Sequence, residues 1–220
     1  MTVPKKTDLE IRDEVLAELR WETRVLPTEV GVEVSNGIVT LSGTVDSWAK
    51  KAAAREAARR VWGVYDVAND VVVRIPDANR PTDAEVAASV RTALEREVLV
   101  PDHRVQTTVS DGVVTLEGEV DYWSQAEDAE RAVRTLVGVI GISNLLKVEN
   151  VAIEQEVQRA IIGALNRHAA RAARHVKVEV AGSGATVTGY VDSWAERTAV
   201  VGAVRGTHGI TSVEDMLAIW

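Results

Sequence analysis

One phrase is written three times in this chain. Residues 37–48 read GIVTLSGTVDSW, residues 112–123 read GVVTLEGEVDYW, and residues 184–194 read GATVTGYVDSW, one residue shorter. The first two copies lie 75 positions apart and the last two, aligned on their tryptophans, 71. Such self-similarity predicts three copies of one small unit rather than one 220-residue fold. It also argues against catalysis, because an active site needs different residue types converging once, and what recurs here is core and turn chemistry. A unit of roughly 70 residues buries a modest core and is marginal by itself, so contacts between units are expected.

Each unit opens with an amphipathic helix. Ile11, Val15 and Leu19 recur four apart behind Asp8 as N-cap, and Val86, Val90 and Leu94 do so behind Asp83. Val157, Ile161 and Leu165 are the third set. A hairpin follows, with Val30, Val32 and Val34 alternating with polar or small residues. Val105, Thr107 and Val109 match them, as do Val176, Val178 and Val180. Asn36-Gly37 and Asp111-Gly112 are dipeptides that accept the positive φ angles of a type I′ turn, and Gly182-Ser183-Gly184 takes that place in the third copy.

The second hairpin strand sets Val39, Leu41, Gly43 and Val45 on one face. Glycine weakens a strand, so the recurrence of Gly43, Gly118 and Gly189 suggests close approach of another backbone, expected to be a helix crossing the sheet. An Ala-rich helix begins at Asp46-Ser47-Trp48, Asp121-Tyr122-Trp123 and Asp192-Ser193-Trp194, where Asp or Ser can cap it. Ser124 with Glu127 and Ser193 with Glu196 have capping-box spacing. The helix ends near Gly63, Gly138 and Gly209, and a final strand follows at Val71–Ile75, Leu146–Val148 and Leu217–Ile219. The fold class is α+β: three tandem αββαβ units, 7–76, 82–149 and 152–220, each a three-stranded sheet with two helices on one face.

These elements, with "NGIVTLSGTV", "GVYDVANDVVV", "DGVVTLEGEV" and "GVIGISNLLKV", resemble the BON domain. The third copy is a diverged one, with Glu214-Asp215 where the others have Ala68-Asn69 and Ser143-Asn144. The resemblance implies a non-enzymatic protein linked to osmotic or envelope stress, with anionic phospholipid surfaces as the implied partner. Chaperone-like or scaffolding action on other proteins, and potassium sensing, are the alternatives it leaves open. It supplies no catalytic residues.

Composition narrows the classes further. There is no Cys, which excludes disulfides, thiolate metal sites, cysteine nucleophiles and a cysteine lipid anchor. The net charge is −8, and between Pro81 and Lys147 six Lys and Arg face twelve Asp and Glu. That balance argues against duplex nucleic acid, whose binding is dominated by phosphate neutralisation. The stretch MTVPKKTDLEIRDEV lacks the apolar core of a secretory signal, and no run of about 18 apolar residues would span a bilayer. The expectation is a cytoplasmic protein as written, and a periplasmic one if an export signal has been removed.

The binding candidates are few. Trp48, Trp123 and Trp194 recur at the helix starts, either as apolar anchors for lipid or partner or as covers for the ends of their own cores. Trp21 and Trp62 do not recur; Arg96 and Arg167, and Val137 and His208, stand in their places. They are therefore not demanded by the repeat core and are free to pack between units or on a partner. Lys51, Arg55 and Arg59, with Lys50 and Arg60 beside them, form a cationic stripe that either holds lipid headgroups or is a solvated face. His103, His168, His175 and His208 make no metal-ligand motif, and neither cofactor nor metal is expected.

Overall fold

The computed structural model describes residues 6–76, 78, 80–149 and 175–219. The expected helix at Val157, Ile161 and Leu165, His168, and the joining residues Asp77, Asn79, Asn150 and Val151 lie outside the described residues. The chain divides into two compact units. One runs to Arg80 and takes in Ser193–Ala195; the other holds Pro81–Asp192 and Glu196–Trp220.

The first unit begins with α1, Asp8–Trp21, whose Ile11, Val15 and Leu19 are buried as their four-residue spacing requires. Burying such a side chain contributes about 1.5–3 kcal/mol. The antiparallel hairpin of β1 (Val30–Ser35) and β2 (Ile38–Val45) follows. Its turn residues have φ of 52° at Asn36 and 76° at Gly37, as a type I′ turn requires. Helix α2, Trp48–Arg60, buries Ala52, Ala53, Ala54, Ala57 and Ala58, so its backbone can approach the sheet closely. Strands β3 (Asp66–Asn69) and β4 (Val72–Val73) then pair parallel to β2, which makes β2 the central strand. Parallel pairing is what a helical crossover between strands permits.

The second unit repeats this plan with α3 (Asp83–Arg96), β5 (Val105–Ser110), β6 (Val113–Val120), α4 (Trp123–Arg134), β7 (Gly141–Asn144) and β8 (Lys147–Val148). It also contains β9 (Val176–Ala181), β10 (Gly184–Val191), α5 (Trp194–Arg205) and β11 (Ser212–Ile219), of which Trp194 and Ala195 group with the first unit. The architecture is α+β throughout, with three small mixed sheets of the same strand order.

Several local expectations change. The N-caps of α1 and α3 are Thr7 and Thr82, each in a capping box with Glu10 or Glu85. Asp8 and Asp83 sit one residue inside and instead bind the hairpin turns. Asp8 accepts the N–H of Asn36 (2.8 Å) and of Gly37 (2.9 Å), and Asp83 those of Asp111 and Gly112, both at 2.8 Å. Ser47 caps α2. Ser124 lies inside α4, where Gln125 rather than a Ser124–Glu127 box takes the N–H groups of Asp121 and Tyr122. At the same place in α5, Glu196 takes the N–H of Asp192.

The close approach at Gly43 is real, but no helix makes it. A Cβ there would lie 2.2 Å from the carbonyl oxygen of Glu29, the residue that leads into the paired strand. Gly118 meets Arg104 and Gly189 meets His175 in the same way, at 2.1 and 2.0 Å. The third copy is not shorter at its turn. Ala181 pairs with Gly184, so Gly182-Ser183 is the two-residue loop and Ser183 stands where Gly37 and Gly112 stand. The carbonyl of Ser183 accepts the N–H of Thr211 as that of Gly37 accepts Tyr65 and that of Gly112 accepts Ile140. Only the first of the two loop residues has positive φ, 60° at Gly182, so the turn differs in type from the other two.

The last strand also explains the divergence at Asp215. In the first two copies Asn69 and Asn144 donate to the helix carbonyls of Lys51 and Ala126, and each accepts the N–H two residues on. Aspartate has no proton to donate there. Asp215 keeps the second bond, to the N–H of Leu217, and pairs with Arg197 at 2.9 Å. Arg197 occupies the helix position of Lys51 and Ala126, so the two substitutions compensate one another.

Candidate functional site

The cationic stripe of α2 is not a uniform free surface. Lys50 is held between Glu29 (2.9 Å) and Asp46 (3.1 Å), contacts that raise its pKa, the Glu29 hydrogen bond most. Arg60 pairs with Glu18 at 3.0 Å and approaches Glu22 at 3.7 Å. Lys51 lies over the ring of Trp48 at 5.8 Å, and Arg59 over that of Trp194 at 4.5 Å. Lys51, Arg55 and Arg59 are all partly buried.

Among the described residues of the first unit, the most exposed large apolar side chain opens the loop that follows the first helix. Trp21, the last residue of α1, is 83% exposed and Leu26 59%. Arg20 is exposed beside Trp21. The loop is braced from below. Val25 is buried in the core, and Glu22 receives Arg24 through two bonds of 2.8 and 2.9 Å. Glu29 accepts the N–H of Leu26 at 3.0 Å while holding Lys50. The equivalent loop after α3 exposes Val98 (93%) and Leu99 (63%), with Val100 buried beneath them. There Arg91 donates to the carbonyls of Asp102 and Val105 at 3.3 Å, and Arg104 pairs with Asp121 at 2.8 Å. In both copies a loop tied to its own unit by hydrogen bonds presents large apolar side chains that its own core does not use. Exposed apolar side chains grouped on one loop make a candidate interaction surface, whereas singly scattered ones are ordinary.

The BON domain family model matches residues 7–75, 82–150 and 152–219. The chain belongs to the BON domain family. It is 31% identical over 148 residues to the osmotically-inducible protein Y of Escherichia coli (strain K12), covering 64% of this chain and 73% of that relative. Two solved chains of CdsD, described as a structural protein of the type III secretion system of Chlamydia trachomatis, align over 96% and 98% of this chain and 92% and 100% of their own. They do so at 18% and 17% identity, with a TM-score of 0.27 for each, and carry no argument at that similarity.

Within the BON repeats, the remaining candidates divide by environment. Trp62 is partly buried under Lys6, 5.1 Å from its ring centre, with the Lys6 ammonium also donating to the Trp62 carbonyl at 3.3 Å. Trp48, Trp123 and Trp194 are partly buried, and Trp194 packs against the core of the first unit. Gly63, Gly138 and Gly209 share a φ of 95° and lie beyond the ends of their helices. Among the described residues no cluster of three His, Asp or Glu could hold a metal, and no helix is long and apolar enough to cross a membrane. Leu26, Val98 and Leu99 were missed in the sequence, although each lies in a stretch without strand or helix periodicity, where an apolar residue has no core to enter.

The Glu22 brace makes the first loop sensitive to acid. The hydrogen bond from Arg24, with Arg60 nearby, lowers the Glu22 pKa. Its folded value therefore lies below its unfolded one, so the stabilisation is complete above the unfolded value of about 4.3 and is lost as pH falls through the folded value. Glu22→Gln is expected to be less stable than the parent at pH 7. The gap between them should narrow as pH falls below about 4, which urea midpoints across that range will read. A gap that stays constant with pH would contradict the assignment.

Proposed function

We propose that this BON-family chain is a non-catalytic binding protein of osmotic or envelope stress that associates peripherally with anionic phospholipid surfaces. The supporting observation is the braced apolar loop of the first unit, with Trp21 and Leu26 exposed beside Arg20. Tryptophan suits a membrane interface because a broad apolar ring carries one polar N–H. A neighbouring cation adds about 1 kcal/mol near an anionic leaflet. Each contact is weak, and several in one chain add through effective concentration. The relation to the osmotically-inducible protein supports the stress setting.

Co-sedimentation with vesicles tests this. Binding is expected to vesicles containing phosphatidylglycerol, to weaken between 0.05 and 0.5 M salt (a range of about tenfold that collapses the Debye length), and to be slight on phosphatidylcholine alone. Arg20→Glu, which reverses the exposed charge beside Trp21, is expected to weaken it. Absence of binding to either vesicle at low salt would sink the reading.

A second reading, a scaffolding or chaperone-like protein, is favoured by one observation. Val98 and Leu99, with Val137, are exposed within the acid-rich stretch Pro81–Lys147, whose charge opposes an anionic bilayer. Suppression of aggregation of an unrelated client without nucleotide, lost in Val98→Ser/Leu99→Ser, is the result that reading requires.

A further inference from the structure

The second helix of every BON repeat carries tryptophan at its first residue and arginine near its end. The pairs are Trp48 and Arg59, Trp123 and Arg134, and Trp194 and Arg205. In two places the arginine of one repeat lies over the tryptophan of another. Arg59, from the first repeat, is 4.5 Å from the ring centre of Trp194, from the third. Arg205, from the third, is 4.8 Å from that of Trp123, from the second. The two helix positions are the same in both, and the distances are similar.

Other observations mark these as built contacts. Trp194 packs against the hydrophobic core of the first unit. In the second unit the indole Nε1 of Trp123 and the Nε of Arg205 are buried with no hydrogen-bond partner among the described residues, so these two atoms of the stack are out of contact with solvent. A cation over an indole is worth about 0.5–1 kcal/mol when exposed and about 2 when desolvated. Arginine suits the role because its planar, weakly hydrated guanidinium lies flat on a ring as an ammonium does not. Beside Trp123, the ring of Tyr122 meets that of His208 at 5.7 Å, extending the same contact.

We propose that the helix-start tryptophan and the helix-end arginine are the two halves of a connector by which one BON repeat recognises another. The ligand of the tryptophan is then a guanidinium of a sister repeat, not a lipid. This assigns Trp123 and Trp194 a role separate from Trp21, so it stands or falls independently of the membrane reading.

Thermal unfolding of the full chain in a double-variant cycle tests it. Trp123→Ala and Arg205→Ala are each expected to lower the unfolding midpoint by about 3–6 °C. The matched double variant should lose about 2–4 °C less than the sum of the two. The crossed combinations, Arg205 with Trp194 and Arg59 with Trp123, should add. If the alanine variants do not fold, Trp123→Phe and Arg205→Lys keep the bulk while weakening the stack, and the same comparison applies. Additivity in the matched pairs as in the crossed ones would overturn the proposal, because tryptophans that only cover their own cores would show no coupling to a particular arginine.

Discussion

Gly43→Ala is expected to destabilise its repeat by about 3 kcal/mol or more, an effect that Gly118→Ala and Gly189→Ala should repeat in theirs. The new Cβ would stand 2.2 Å from the Glu29 carbonyl oxygen, in a backbone held at φ 126°. Neither conflict relaxes easily. The carbonyl accepts the N–H of Thr44 at 3.2 Å, so it cannot swing away without breaking the pairing next to the central strand. A unit of roughly 70 residues has about 4–10 kcal/mol to lose. Urea denaturation will read the shift, and two glycines serve as controls. A Cβ at Gly182 meets nothing within 4 Å, and its φ of 60° costs about 1 kcal/mol for alanine. Gly202, within helix α5 and equally open, should become more stable by about 0.5–1 kcal/mol as alanine. A Gly43→Ala protein as stable as Gly182→Ala would refute the steric account.

Asp8→Ala comes second, at about 1.5–3 kcal/mol, and its signature is spatial rather than only energetic. The carboxylate accepts two backbone N–H groups from a turn 28 and 29 residues away, tying the first helix to the hairpin. Its loss should raise amide exchange at Asn36 and Gly37. Thr7→Ala, which removes the true N-cap, should cost about 1 kcal/mol and leave those two amides protected. If both variants fray the helix and neither touches the turn, Asp8 is a helix-end charge and nothing more. Asp83→Ala should repeat the effect at Asp111 and Gly112, since its bonds have the same geometry.

That clamp shows where sequence reading stops. The three-residue interval from Thr7 to Glu10 was as visible as Asp8, yet only the fold reveals that Asp8 is occupied elsewhere. Valine alternation and the Asn-Gly and Asp-Gly turns located the strands because both depend on immediate neighbours. The direction of the last strand, its pairing partner and the exchange of Asn144 for Asp215 depend on residues brought together by the crossover. The glycine repeat signalled a crowded backbone but not whose backbone it was. For the binding surface, the i, i+4 spacing of Lys51, Arg55 and Arg59 was legible, but the carboxylates beside the stripe come from other elements. Glu29 and Glu18 lie 21 and 42 residues from the Lys50 and Arg60 they hold. Exposure of Trp21 follows from the helix ending under it, while Leu26 and Val98 were hidden by irregular sequence around them.

The most direct test of the membrane account compares the parent chain with Trp21→Ser/Leu26→Ser in co-sedimentation with phosphatidylglycerol vesicles at low salt. Both side chains are mostly in water, so the substitutions should leave the fold intact, which circular dichroism will check. A tenfold or greater loss of binding by a folded double variant is the expected result, equivalent to about 1.4 kcal/mol from two interfacial anchors. Undiminished binding by that variant would contradict the account and place the contact elsewhere on the molecule.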